Sequence, residues 1–178
     1  MQRRQQQGFT MIELIVVIVI LGVLAAVALP RFTNLQRDAR IAKLNAARGA
    51  VNAASAMVFG SAVARQNQVQ PACAGFGTPN VNLAGNGNIC TQNGLVNVTL
   101  LYPSSNLGGV VAAAGLIQAP APTNALLQAE GYSTAGVAGG IQVQVTGGSA
   151  AANCSFNYLA ATALGQAPTI ASIVTTGC

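Results

Sequence analysis

The 178-residue chain has no histidine and no tryptophan, and only 6% of its residues are charged. A soluble domain ordinarily has about 25% charged residues. Carboxylates are scarcest, because the chain has three and only Glu130 lies beyond residue 38. Without histidine or a carboxylate pair, that region has no Ser–His or Cys–His nucleophile and no acid–base couple. We therefore expect no catalytic residue, no metal site and no cofactor.

Basic residues are confined to the first part of the chain, and residues 66–178 contain a single charge, Glu130. The eight basic residues are Arg3, Arg4, Arg31, Arg37, Arg40, Lys43, Arg48 and Arg65. A nucleic-acid-binding surface needs clustered basic residues. Most of the basic residues here lie along one helical segment without interleaved aromatic residues. We interpret them as a solvated helix face and do not expect nucleic acid as a partner.

The segment from Leu14 to Leu29 has no polar side chain, and Glu13 stands directly before it. Counted from Phe9, the length suits one bilayer crossing of about 20 residues, and the preceding arginines favour a cytoplasmic N-terminus. A secretory signal peptide and a plain membrane anchor are two alternatives. The apolar run exceeds the usual signal-peptide core and lacks a clear cleavage site. Neither alternative explains Glu13, because a carboxylate in hydrocarbon is costly and requires a partner.

The heptapeptide Gly8-Phe9-Thr10-Met11-Ile12-Glu13-Leu14 resembles the class III (prepilin) signal of type IV pilins and type II secretion pseudopilins. In that family a membrane aspartic peptidase cuts after the glycine, the new N-terminal phenylalanine is methylated, and the subunits polymerise. The resemblance implies that residues 1–8 are the leader, Gly8 is the cleavage site and Phe9 is the methylated terminus. Glu13 then takes the place of the family's glutamate, and Gly22 and Pro30 match its glycine and proline.

Cleavage before Phe9 supplies the partner that Glu13 requires. The new α-amino group has a reference pKa of about 7.7–8.0 and is mostly cationic at neutral pH. In a filament, the ammonium of one Phe9 could neutralise Glu13 of a neighbouring copy. Such a pair in a low-dielectric bundle favours correct axial register more than it adds net stability. We expect Glu13 to be an assembly residue.

The stretch from Pro30 to Arg40, Pro-Arg-Phe-Thr-Asn-Leu-Gln-Arg-Asp-Ala-Arg, resembles mannose-sensitive haemagglutinin (MSHA)-type pilins. This resemblance implies a pilus subunit that serves adhesion or motility and binds a host or abiotic surface. It also implies that the subunit forms a homopolymer and that its partners are a prepilin peptidase and assembly machinery in the inner membrane. The head would be periplasmic before assembly, and the assembled pilus would be extracellular.

Two other functions remain open. The first alternative is a pseudopilin of a type II secretion system. Major pseudopilins usually carry a calcium site of acidic side chains and lack a terminal disulfide, and both points favour a pilus here. The second alternative is a monomeric, membrane-anchored binding module.

Helical spacing predicts one long helix over residues 9–62, of which 9–29 is the transmembrane and filament-core part. Gly22 and Pro30 weaken it, and the resemblance implies that this stretch unwinds on assembly. Two apolar stripes follow. We expect the branched stripe to pack on a sheet and the small-residue stripe to face the filament interior. The first comprises Ile41, Leu44, Val51 and Val58; the second comprises Phe32, Leu35, Ala39, Ala42, Ala46, Ala50, Ala53 and Met57.

Residues 63–178 read as a globular head. Strands are predicted at Leu95–Leu101 (ended by Pro103), Gly140–Thr146, Cys154–Leu159 and Thr169–Thr175, short helices at Leu107–Gln118 and Thr123–Gln128, and turns at Asn86-Gly87 and Asn93-Gly94. Strands that follow one long helix indicate an α+β fold with a small antiparallel sheet. The resemblance implies that this is the type IV pilin fold.

Four cysteines, Cys73, Cys90, Cys154 and Cys178, lie in this head. An outward-facing domain enters an oxidising compartment, so disulfides are expected. Of the three possible pairings, we choose Cys73–Cys90 and Cys154–Cys178 because both close short loops. The second pair resembles the C-terminal clamp of the pilins. A zinc site is disfavoured, since the cysteines have no CxxC spacing and histidine is absent.

Overall fold

The computed structural model describes residues 9–79, 84–117, 119 and 122–178. The predicted leader and Gly8 lie outside these residues. The helices are α1 (Met11–Arg65) and α2 (Asn124–Ala129), with a π-helical turn at Leu107–Val111 and a 3-10 turn at Ala151–Asn153. The strands are β1 (Asn86–Thr91), β2 (Gly94–Thr99), β3 (Tyr102–Pro103), β4 (Tyr132–Val137), β5 (Gly140–Val145), β6 (Ser155–Leu159) and β7 (Thr169–Ile170).

The fold class is α+β, as predicted. Contacts divide the chain into two units, one ending at Asp38 and one beginning at Ala39. The predicted boundary between helix and head, residues 62/63, falls inside α1. We use "head" below for the residues after α1, from Gln66 onward.

Alanine and leucine favour helix formation in α1, whereas the valine and isoleucine residues of its first part are weaker helix formers. Gly22 and Pro30 both lie inside it, and their backbone is helical in the single copy. Proline removes one helical hydrogen bond, so this stretch is intrinsically the weakest part of the helix. Unwinding of this stretch in a filament stays a prediction.

The head contains two antiparallel sheets, ordered β1-β2-β3 and β4-β5-β6-β7. In the first sheet, β1 and β2 form a hairpin whose ends pair Thr91 with Gly94. Gly94 has φ +104°, a conformation that glycine adopts without strain. The turn predicted at Asn93-Gly94 therefore lies at this hairpin.

Four details of the head differ from the predictions. Asn86-Gly87 is not a turn, because it begins β1. The strand ends at Thr99, since Leu100 and Leu101 have φ 53° and 71° and reverse the chain, so Pro103 lies in the next strand opposite Val98. The last predicted strand is reduced to Thr169–Ile170 and an isolated bridge from Ser155 to Val174. The helix predicted from Leu107 is helical only through residue 113, and its predicted end, Gln118, lies outside the described residues.

The second sheet includes a strand that the sequence pattern did not predict. β4 pairs with β5 along its whole length, from Tyr132 opposite Val145 to Val137 opposite Gly140. Its burial does not alternate, because its residues are half-buried or exposed throughout. A periodicity argument therefore had no signal to detect.

The branched stripe of α1 packs on the head, as predicted, but it contacts two sheets where the prediction was one. Leu44 and Val51 are fully buried in a cluster with Val143, Phe156 and Tyr158 of the second sheet. Farther along the helix, buried residues contact the first sheet. They are Ala54, Val58 and Ala62 of α1 with Ile89, Val96 and Val98 of β1 and β2. One helix thus contributes buried residues to two core clusters, one against each sheet.

The two sheets are also joined by one buried hydrogen bond. The Tyr158 hydroxyl on β6 donates to the main-chain oxygen of Pro103 on β3 at 2.7 Å. Burial raises the pKa of Tyr158 well above its usual range, so the phenol stays protonated as the donor at neutral pH.

Replacing Tyr158 by phenylalanine should lower the free energy of unfolding by about 1–2 kcal/mol, because the buried Pro103 oxygen loses its donor. Denaturant unfolding of the detergent-solubilised full chain measures the change. Tyr102→Phe is the matched control, since that half-buried ring keeps its stacking on Phe59 at 4.6 Å between centroids. Equal losses in both variants would contradict the bridging role.

Candidate functional site

The N-terminus of α1 places Glu13 in the first helical turn. The main-chain oxygen of Thr10 accepts from the amides of Glu13 and Leu14 at 3.2 and 3.3 Å, so Thr10 is at the N-cap. The Thr10 hydroxyl donates to the Glu13 carboxylate at 3.4 Å. The spacing is that of a capping box, and a carboxylate is favourable near the positive end of the helix dipole.

These contacts do not neutralise the charge of Glu13. Within the described residues the carboxylate accepts only this one long hydrogen bond, from a neutral hydroxyl of its own turn. The Glu13 side chain is exposed in the single copy. Transfer into an apolar environment would leave the carboxylate without a cation, which is costly. Water can therefore solvate the Glu13 carboxylate in the single copy, whereas in hydrocarbon the carboxylate would need a cation as its partner.

The helix around Glu13 exposes a long run of large apolar side chains. Phe9 is 79% exposed, and large apolar residues remain exposed as far as Leu35, at 64%. Soluble monomers rarely expose contiguous apolar surface of this extent. One 18-residue window of α1 reaches a mean hydropathy of 3.1, so the helix is long and apolar enough to cross a membrane. This surface requires lipid or other protein as its neighbour.

The small-residue stripe is also exposed. Ala42, Ala46 and Ala53 lie on the solvent side of α1, and Met57 on the same stripe is 66% exposed. Small side chains allow two helices to approach closely. The expectation that this face meets the filament interior stays a prediction.

Four basic residues of α1 donate hydrogen bonds to main-chain oxygens of the head. Arg40 Nε donates to Cys178 at 2.5 Å, Arg48 Nε to Ala171 at 2.7 Å, Arg65 Nη1 to Cys90 at 3.1 Å, and Lys43 Nζ to Glu130. Arg48 and Arg65 are exposed, as a solvated helix face predicts, whereas Arg40 and Lys43 are half-buried, and all four also bind the head. Because the head has one carboxylate, the cations use carbonyl oxygens instead.

Sequence reasoning missed these helix–head hydrogen bonds. The sequence does contain a signal for them, because the charges of the two parts do not balance. Four cations of α1 lie near a head that has a single acidic side chain. Lys43 makes a second contact, with its ammonium 4.3 Å from the centre of the Tyr132 ring. Burial, and then the charge of Glu130, raise the pKa of Tyr132.

The structure contains the disulfides Cys73–Cys90 and Cys154–Cys178, which are the pairings chosen from the sequence. They span 17 and 24 residues along the chain. Closing loops of this size contributes about 3 kcal/mol each in the chain-entropy picture. Two helix–head hydrogen bonds end on cystine carbonyls, at Cys90 and Cys178, so α1 is attached to both closed loops.

The described residues hold no group of three or more histidine, cysteine, aspartate or glutamate side chains that could bind a metal ion. Glu130, the acid of the head, is exposed beside a small apolar pocket.

Comparison with known proteins gives a family match and two relatives. The family described as the prokaryotic N-terminal methylation motif matches residues 3–29. Type II secretion system core protein G of Pseudomonas aeruginosa is 48% identical over 56 residues, which cover 32% of this chain and 37% of that protein. The type IV narrow pilus major component PilA5 of Thermus thermophilus is 49% identical over 51 residues, or 29% and 44% of the two chains.

The chain thus spans less than half the length of the curated relatives it matches. No solved structure matches it significantly. The similarity does not separate a pilin from a pseudopilin, because one relative has each name.

Replacing Lys43 by methionine should lower the free energy of unfolding by about 1–2 kcal/mol, because a charged hydrogen bond and a cation–π contact are lost together. Thermal or urea unfolding of the full chain measures the shift. Lys43→Arg is the control, since it keeps the charge and the donors. A methionine variant as stable as the parent would show that the contacts to Glu130 and Tyr132 contribute nothing.

Proposed function

We propose that this chain is the structural subunit of a type IV pilus. It is made as a prepilin, is processed at the membrane and polymerises through α1 into a surface filament. One observation supports this most strongly: the methylation motif matches residues 3–29, and the helix that begins at Met11 within it exposes its large apolar side chains. A filament is one state that covers this surface with protein.

Processing occurs between Gly8 and Phe9 in this proposal. A prepilin peptidase in the inner membrane removes residues 1–8, and Phe9 is N-methylated. Before assembly, residues 9–29 cross the membrane with the head on the periplasmic side. Pilus assembly machinery then transfers the subunit into the filament, where the helices of neighbouring copies replace the lipid, and Gly22 and Pro30 let α1 unwind locally.

Glu13 is the residue that sets the axial position of each incoming subunit. Its exposed carboxylate has a neutral neighbour in the single copy. On entry into the filament core, the ammonium of Phe9 in an adjacent copy becomes its partner. An unpaired buried carboxylate is strongly unfavourable, so only the register that brings the two groups together is stable.

A pilus is favoured over the alternative, a pseudopilin of a type II secretion system. One relative has each name, so identity does not decide between them. The head has one carboxylate, whereas a calcium site takes six to eight oxygen ligands that include several carboxylates. The Cys154–Cys178 bond supports the same choice, because it resembles the terminal clamp of pilins. An MSHA-type role in adhesion to a host or abiotic surface is the finer form of the proposal.

Electron microscopy of filaments sheared from cells, with mass spectrometry of the subunit, tests this function. We expect filaments whose subunit begins at a methylated Phe9. Filaments built of subunits with an intact Met1, or a processed subunit that stays monomeric, would overturn the proposal. Deleting either the type II secretion genes or the pilus genes of the producing cell distinguishes the two assembly systems, because only the deletion of the system in use abolishes the filaments.

Replacing Glu13 by leucine should leave membrane insertion and cleavage intact but lower filament yield at least about tenfold, because the neighbouring ammonium loses its partner. Immunoblots of sheared and membrane fractions measure the two pools. Asp38→Asn removes the same charge from α1 outside the apolar run and is the control. Normal filament yield from the leucine variant would refute the assembly role.

A further inference from the structure

The Glu130 pocket is a small depression at the C-terminal end of α2, and the lining residues other than Glu130 have no polar side chain. It has a volume of about 330 Å³ and is lined by Gly115, Leu116, Ile117, Ala119, Leu126, Ala129 and Glu130. Leu126 at its edge is 47% exposed. The pocket therefore combines apolar walls with one carboxylate, the only acid of the head.

Lys43 fixes Glu130 at the rim without neutralising its carboxylate through a direct bond. The Lys43 ammonium donates to the main-chain oxygen of Glu130. Glu130 is also the C-cap of α2. In the described part of the chain, its side-chain oxygens accept no hydrogen bond and form no ion pair. The pocket thus presents an exposed anion in a defined place.

Arg31 is the cation that one copy leaves without a partner. Four basic residues of α1 donate to head carbonyls, and Arg37 also has a contact. Among the described cations, only Arg31 has neither a hydrogen bond nor an ion pair. It is exposed, and Leu35, one helical turn later on the same face, is 64% exposed.

The two surfaces have complementary chemistry. Arg31 and Leu35 offer a guanidinium beside an apolar side chain, and the Glu130 pocket offers a carboxylate beside apolar walls. Packing that covers Leu35 also removes Arg31 from water, and a hydrogen bond from a guanidinium to a carboxylate is stronger than one to a neutral oxygen. Of the three side-chain carboxylates, Glu13 is assigned to the Phe9 ammonium and Asp38 lies on α1 itself, whereas Glu130 lies in a pocket of the head.

We propose that the Glu130 pocket of one copy receives Arg31 and Leu35 of a second copy. This inference rests on the proposed filament. The guanidinium binds the Glu130 carboxylate through two parallel hydrogen bonds, a geometry that arginine favours, and Leu35 covers Leu116 and Leu126. The two surfaces differ, so the contact is heterologous, and its repetition generates an open filament when the rotation does not close.

Charge reversal in the full-length protein, expressed in cells that assemble it, tests this contact. Arg31→Glu and Glu130→Arg should each lower the yield of sheared filaments about tenfold or more, because like charges then meet across the contact. The double variant should restore the yield to within about twofold of the parent. Gln128→Arg is the control, since it adds a positive charge at an exposed site of α2 outside the pocket lining.

A second measurement does not depend on yield. Arg31→Cys and Glu130→Cys are placed on separate, co-expressed copies, and a short thiol cross-linker is applied to intact filaments. A cross-linked peptide that joins residues 31 and 130 supports the contact, because neither copy carries both cysteines. Immunoblots of whole cells verify that each variant accumulates.

A double variant that assembles as poorly as the single variants would overturn the inference. So would a Glu130→Arg variant no worse than the Gln128→Arg control, or the absence of the cross-linked peptide in intact filaments. These results leave the proposed function standing. An absence of filaments in the parent strain would overturn the proposed function itself, and this contact with it.

Discussion

The unmatched carboxylate of Glu13 is the constraint on which the rest of the structure depends. It stands at the start of an apolar helix, and among the residues that the structure describes only the Thr10 hydroxyl donates a hydrogen bond to it. Water can solvate such a group, but lipid and protein interior cannot. In the proposed filament, a cation from another copy neutralises this carboxylate when the helix is covered. The proposed cleavage at Gly8 creates that cation at Phe9. Assembly then depends on maturation, because the uncleaved chain has no ammonium group at Phe9.

The head is built to hold this helix while carrying very little charge itself. Branched side chains of α1 are buried against both sheets, and the basic side chains beside them end on main-chain oxygens instead of acids. Two of those oxygens belong to cystines. Attachment through carbonyls lets the head have a nearly neutral surface. Neutral surfaces associate readily, which suits a subunit surrounded by copies of itself.

Much of this architecture could be predicted because it depends on strong local patterns. The length of the apolar run indicates a helix, and the stripe through Leu44 and Val51 has the helical period. The alternation of Ile141, Val143 and Val145 indicates a strand. The disulfide pairings followed from short loop lengths. Strand β4 and the reversal at Leu100 and Leu101 could not be predicted, since the first has no alternation and the second uses residues that rarely adopt positive φ. The helix–head hydrogen bonds depend on long-range contacts that no local pattern encodes.

A density map of the assembled filament at side-chain resolution tests the central claim most directly, through the distance between the Phe9 nitrogen and the nearest Glu13 carboxylate. The account predicts that this carboxylate belongs to a different copy and lies within about 4 Å of the nitrogen, the range of an ion pair. A Glu13 that faces solvent in the filament, or remains bound only to its own Thr10, would contradict it.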